Sequence, residues 1–292
     1  MIKIHMDNTD ILQEMLIYID THIKEKMNVE VLAKRAGFSP IYFCRIFQNV
    51  VGTSIMEYVR NRRLAYAASE LNSGRKLSNI AKDYSFETHS GFSKAFRRFF
   101  GCPPEVYRTY AYFNVPEIQD LTKSKQHESN NIIEPKIMAK KAAFKIAGFA
   151  QKYSFKVGVK LDEIYKIKTE YIEDGRMDKL HGESFIKHHA EYGISFTKDS
   201  EDDNAIFVVG LEVKSKNKIP AEYSVFYIPD SLYAVFTTTT SIADTWQYIF
   251  NEWLPNSGYE YCADGIPFEF FNGRSIIDPV CDIYIPVVRI QL

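Results

Sequence analysis

No stretch of this 292-residue sequence approaches the ~18 consecutive apolar residues that a membrane-crossing helix needs. Its opening, MIKIHMDNTD, lacks the apolar core of a secretion signal, so the chain is expected in the cytoplasm and away from membranes. Cysteine is scarce and scattered. Cys44, Cys102, Cys262 and Cys281 form no C-x-x-C pair and no Cys/His ligand spacing, which leaves buried thiols as the expectation. The histidines, His181, His188 and His189 among them, show no ligand spacing either, so they are expected at the surface with no metal. No G-x-G-x-x-G follows a strand, no phosphate loop is present, and no nucleophile motif surrounds a serine. No cofactor and no catalytic residue is expected.

Net charge is also nearly absent, at −1, but the balance is uneven along the chain. Residues 1–112 hold 16 Lys and Arg against 11 Asp and Glu, and the remainder holds 20 against 26. A basic front and an acidic back suggest a nucleic-acid partner for the first part and a different partner for the second. The length is about twice that of an ordinary domain, so two domains are expected.

Periodicity organises the front. Residues 77–84 (LSNIAKDY) read as a short helix, with Leu77, Ile80, Ala81 and Tyr84 facing inward. A second helix follows, with Thr88 as N-cap, Phe92, Phe96 and Phe99 on one face, and a stop at Gly101, Pro103 and Pro104. His89, Ser90, Ser93, Lys94 and Arg97 fall on its outer face. The same pattern occurs 48 residues earlier: Leu32 to Phe38 matches Ile80 to Phe86, and Phe43 to Gly52 matches Phe92 to Gly101 at an offset of 49. In this first copy Ser39 caps a helix with Pro40 at its first turn. Phe43, Phe47 and Val50 face inward there, and Pro40, Ile41, Cys44 and Arg45 outward. Two helices joined by a tight turn, the second with polar and basic outer positions, describe a helix-turn-helix, present twice. The helix over 54–72 joins the copies, and its Arg60, Arg62 and Arg63 are candidate phosphate contacts or a solvated face.

Residues 11–110 resemble the DNA-binding domain of the AraC/XylS family of transcription regulators. The second copy carries most of the likeness: a polar run after Phe86, Phe92-x-x-x-Phe96, the basic pair Arg97-Arg98, Phe100-Gly101, Pro104 and Tyr107-Arg108. Ser85 stands where that family usually has glycine. The resemblance implies double-stranded DNA as a partner, contacts from the outer faces just named, and RNA polymerase as a further partner.

Residues 113–135 are polar and patternless, as in a linker, and divide a domain over 1–112 from one over 136–292. Beyond the linker the order is strand 143–154, with a bulge at Gly148, helix 159–174, and strands 192–197 and 206–213. It recurs as strand 232–238, helix 242–254, and strands 266–271 and 281–290. Two tandem β-α-β-β units imply an α+β domain with helices on one side of an antiparallel sheet and the other side free to line a cleft. Several blocks, above all Glu252-Trp253-Leu254-Pro255-Asn256-Ser257-Gly258-Tyr259, resemble the GyrI-like effector-binding domain. The order of the two domains resembles the right-origin-binding type of AraC-family protein.

Alternation in 266–271 places Ile266, Phe268 and Phe270 on one face and Pro267, Glu269 and Phe271 on the other. With the first face against the helices, Glu269 would point into the open cleft and suit a cationic or hydrogen-bond-donating ligand. The resemblance points to the same residue, because related domains have an acidic group there that meets ligands. Tyr192, Tyr233, Trp253 and Tyr284 are candidate cleft aromatics or core. The expectation is a DNA-binding transcription regulator whose C-terminal domain takes a small-molecule effector, cationic or aromatic. The alternatives are a GyrI-like hydrolase using Glu269 and a module that inhibits another protein.

Overall fold

Local chemistry places the first helices. The computed structural model describes residues 8–111, 135–154, 160–197, 204–214, 218–238, 241–273, 275–278 and 280–290, with single positions at 115, 117, 118 and 121. Seven helices fill the first stretch: α1 (Asn8–Thr21), α2 (Val29–Ala36), α3 (Pro40–Val51), α4 (Ile55–Glu70), α5 (Leu77–Asp83), α6 (His89–Phe100) and α7 (Pro104–Tyr110). Asn28 accepts the Val31 N–H at 2.9 Å to cap α2, and Thr88 accepts the Gly91 N–H at 3.0 Å to cap α6. Gly37, Gly52 and Gly101 end α2, α3 and α6 in the left-handed region.

The contacts divide the chain into two units. One takes Met1–Glu70, Ser78–Ala95 and Phe113–Ile132; the other takes Leu71–Leu77, Phe96–Tyr112 and Ile133–Leu292. The 113–135 linker expectation falls almost wholly outside the described residues. In the first unit Leu12, Leu16, Ile19, Leu32, Ala33, Phe43 and Phe47 are fully buried. The inner face of α3 runs Phe43, Phe47, Val51, a stride of four, so Val50 is exposed rather than buried as expected. α6 repeats the stride with Phe92, Phe96 and Phe100, and Phe99 is half-buried instead.

The second unit is built on one antiparallel sheet, in the order β1-β6-β9-β8-β3-β4-β2-β5, with β7 added on β9. Its first β-α-β-β unit is β2 (Phe144–Ser154), α8 (Lys160–Glu173), β3 (Ile186–Phe196) and β4 (Asn204–Val213). The second is β6 (Ser231–Thr237), α10 (Ile242–Tyr248), β8 (Phe268–Phe271) and β9 (Asp282–Arg289). β1 (Lys136–Lys141), α9 (Arg176–His181), β5 (Ser224–Ile228) and β7 (Tyr259–Tyr261) are additions the sequence pattern did not yield. α10 runs on through a π-turn over Ile249–Trp253. Gly148 is not a bulge. It pairs in unbroken register with Gly210, and a Cβ on it would lie 2.0 Å from the Val209 carbonyl oxygen. Glycine there lets two backbones approach closely.

Candidate functional site

The outer face of α3 is as the repeat implied. Pro40, Ile41 and Arg45 are exposed and Cys44 is half-buried. With Val29 and Gln48 they line a shallow depression of about 480 Å³. Ile41 is 81% exposed. On α6, Ser90 and Lys94 are exposed, whereas His89, Ser93 and Arg97 are half-buried. The guanidinium of Arg97 is already engaged. Its Nε donates to Glu260 Oε2 at 2.7 Å and its Nη2 to the Tyr261 carbonyl at 3.3 Å. Two of the three α4 arginines are structural as well. Arg62 is buried against Asp20, with Nε to Oδ1 at 2.8 Å, and Arg63 donates to the Ile23 carbonyl at 3.1 Å. Arg60 stays exposed beside Glu57.

The sheet gives its two faces different chemistry. Cross-strand register puts Tyr192 opposite Phe270, and Phe268 opposite Tyr284, so all four share one face. Tyr233 joins them at 5.4 Å from Phe268 and 5.8 Å from Tyr284, and Phe144 lies 5.4 Å from Tyr192. Phe268 and Tyr284 stack at 4.6 Å and 14°. Burial drives the Tyr192, Tyr233 and Tyr284 phenols above their ordinary value, so each is a neutral ring at physiological pH. The structure therefore brings together three of the five candidate ligand residues.

The other two lie elsewhere, and here the expectation is corrected. The alternation along β8 holds, but the assignment of faces is reversed. Glu269 pairs across the sheet with Gly193 and Ile283, on the side covered by α8 and α10. It is 8% exposed, not open to a cleft. Lys168 of α8 donates to Glu269 Oε2 at 2.8 Å, and Trp246 of α10 donates through Nε1 to Oε1 at 3.2 Å. The Lys168 ammonium also lies 5.0 Å from the Phe271 ring and 5.3 Å from Phe207. Gly193 makes the room: a Cβ there would meet Glu269 Oε2 at 2.9 Å. The carboxylate is matched by one of the chain's own cations. Trp253 is half-buried with its ring 5.0 Å from Phe236 and 6.1 Å from Tyr259, away from the three tyrosines.

Two features escaped sequence reading. Lys168 follows Ile164 by four residues on the inner stripe of α8, and a lysine at such a position is the signal that could have been used. His181 and His189, expected at the surface, face each other with Nδ1 atoms 3.1 Å apart, and His181 Nε2 lies 3.0 Å from Glu191 Oε1. Among the described residues no group of three or more His, Cys, Asp or Glu could hold a metal ion. None of the described helices is long and apolar enough to cross a membrane.

Comparison with known proteins gives two families. "Helix-turn-helix domain" matches residues 32–110, and "Integron-associated effector binding protein" matches residues 138–287. The regulatory protein SoxS of Escherichia coli is 38% identical over 104 residues, 35% of this chain and 97% of that protein. The right origin-binding protein of Escherichia coli is 33% identical over 104 residues, 35% of this chain and 36% of that protein. The solved structure of SAV2435 bound to tetraphenylphosphonium is 13% identical, with a TM-score of 0.43, over 53% of this chain and 94% of that chain.

Proposed function

We propose, for a chain that belongs to the AraC-type helix-turn-helix regulators and carries an integron-associated effector-binding domain, that α3 and α6 read one asymmetric duplex site while the aromatic face of the sheet receives the effector. The chain is a DNA-binding transcription regulator with a C-terminal effector-binding domain. The observation that carries the finer reading is the duplicated helical pair, each copy ending in a capped helix with exposed positions of the type that meets base edges. Arg45 and Lys94 suit guanine O6 and N7, and Ile41 suits a thymine methyl. Pro40, Cys44 and Ser90 complete the surface, and Tyr192, Tyr233 and Tyr284 are assigned to the effector.

The test is selection of bound sites from a random DNA pool, followed by Arg45→Ala and Lys94→Ala on the selected site. Each substitution is expected to cost about 1–3 kcal/mol there and much less on random DNA, with base preference relaxed at different positions. Equal losses on both DNAs would reduce the two residues to phosphate contacts. RNA polymerase is the further partner this reading implies, and the cytoplasm is where it operates. A regulator rather than an enzyme is supported by the curated relatives and by the neutralisation of Glu269 by Lys168; turnover of activated esters by the purified chain would overturn it.

A further inference from the structure

The two helical pairs repeat one another, so positions where the repeat breaks carry information of their own. At the turn, Ala36-Gly37 of the first pair is replaced by Tyr84-Ser85 in the second. Gly37 has open space around it. Its counterpart and that of Ala36 both reach across to the first pair. Tyr84 is buried, its hydroxyl donates to Glu70 Oε1 at 2.6 Å, and its ring lies 4.8 Å from the Lys24 ammonium. The Ser85 hydroxyl donates to the Lys24 carbonyl at 3.4 Å. Lys24, in the turn after α1, donates to the same Glu70 Oε1 at 2.9 Å. Three elements therefore meet on one carboxylate: the turn after α1, the last residue of α4 and the residue that follows α5. Glu70 also ends a stripe on α4, with Arg62 and Tyr66 at a stride of four. Arg62 and Tyr66 both hold Asp20 of α1, and Tyr66 stacks on Tyr84 at 6.5 Å and 20°.

We infer that this junction is a clamp that sets the distance and rotation between α3 and α6, and that Lys24 and Tyr84 are the positioning residues through which the protein selects the spacing of the two halves of its DNA site. The inference rests on the reading in which α3 and α6 meet one asymmetric duplex site. Each base pair inserted between the halves moves the second by about 3.4 Å and turns it by about a tenth of a revolution. A protein joined by α4 alone could follow that displacement by bending and twisting where the chain leaves Glu70. The clamp restrains both motions, because ammonium, carboxylate, phenol and ring must separate for either to occur. Neither Lys24 nor Tyr84 lies on the outer face of α3 or α6, so both act on DNA recognition through orientation. The Lys24 and Glu70 side chains are 50% and 25% exposed, so water and salt weaken their attraction and the clamp biases the spacing without locking it.

The experiment measures the affinity of the full chain, by fluorescence anisotropy, for the site selected from the random pool and for versions with one base pair inserted or deleted between its halves. The wild-type chain is expected to bind the altered sites more weakly. Lys24→Met and Tyr84→Phe are expected to shrink that penalty by about threefold to tenfold, the range an exposed ion pair and one cation–ring contact can supply. Both keep the fold within reach, since Lys24 is half exposed and phenylalanine preserves the buried ring. Lys24→Arg, which keeps the cation, is expected to retain the wild-type penalty. A penalty undiminished in Lys24→Met and Tyr84→Phe would overturn the proposal. An equal loss on every site with Lys24→Met would also overturn it, by assigning that lysine to a DNA phosphate. Failure of the underlying reading looks different: the wild-type chain itself would then bind all spacings alike, and the clamp would have no spacing to set.

Discussion

Glu269 and Lys168 form the buried ion pair that decides how the C-terminal domain tolerates substitution. Their side chains are 11% and 7% exposed, so removing one partner leaves the other charged and poorly solvated. Glu269→Gln keeps the Trp246 hydrogen bond within reach of its amide oxygen but strands the Lys168 ammonium. It is expected to destabilise the chain by about 3–5 kcal/mol in urea unfolding. Lys168→Met alone should cost a similar amount, and the double variant well under the sum, because the pair is lost as a unit. Additive losses would mean that the two charges do not sense one another.

Among the elements, the two helical pairs differ at one turn residue. Gly37 closes α2 with a φ of 75°, and its counterpart Ser85 after α5 adopts a φ of 64°, the one positive value at a non-glycine position among the described residues. Backbone bonds hold it there: Ser85 N–H donates to the Lys82 carbonyl at 3.0 Å, and Phe86 N–H to the Ala81 carbonyl at 3.0 Å. A left-handed serine costs about 1–2 kcal/mol relative to glycine, offset by the greater freedom glycine loses on folding. Ser85→Gly is therefore expected to stabilise by up to about 1 kcal/mol, read as a rise in melting temperature. The reciprocal Gly37→Ser should destabilise. A drop on Ser85→Gly would show that the Ser85 hydroxyl, 3.4 Å from the Lys24 carbonyl, contributes more than the strain.

At the scale of the whole molecule, the contact units do not divide where composition does. The end of α6 and all of α7 belong with the sheet: Tyr110 donates to the Ser195 carbonyl and its ring packs 4.4 Å from Trp246 at a tilt of 30°, and Gly101 leaves no room for a Cβ against Leu254. Arg97, on the helix read as DNA-contacting, is spent on Glu260. That pair is about a third exposed on each side, so it is worth no more than about 1 kcal/mol, and a DNA phosphate can compete for the guanidinium. Glu260→Gln is expected to raise DNA affinity and to steepen its salt dependence by about one phosphate contact, a change of ~0.9 in the log–log slope. An unchanged slope with a lowered melting temperature would assign Arg97 to structure alone.

Residues that interact within a few positions were legible from the chain alone. The caps Thr88 and Ser39 and the stop at Gly101 lie within one turn of the residues they serve, so spacing revealed them and the repetition of the helical pair. The β-α-β-β order was legible for the same reason, since a strand's alternation and a helix's stripe are each local. Short pieces such as β7 carried too few residues for any period. What remained depended on partners far apart in the chain. Alternation along β8 separates Glu269 from Phe268 and Phe270 but is symmetric with respect to which face the helices cover. Only the packing of α8 and α10, which brings Lys168 and Trp246 to a residue 101 and 23 positions away, breaks that symmetry. Arg97 meets Glu260 across 163 positions, and the Lys141 ammonium lies 4.9 Å from the rings of Phe144 and Tyr284, which stand on different strands. A cation has no periodicity, and its place is decided by where the folded chain leaves rings or a carboxylate to receive it.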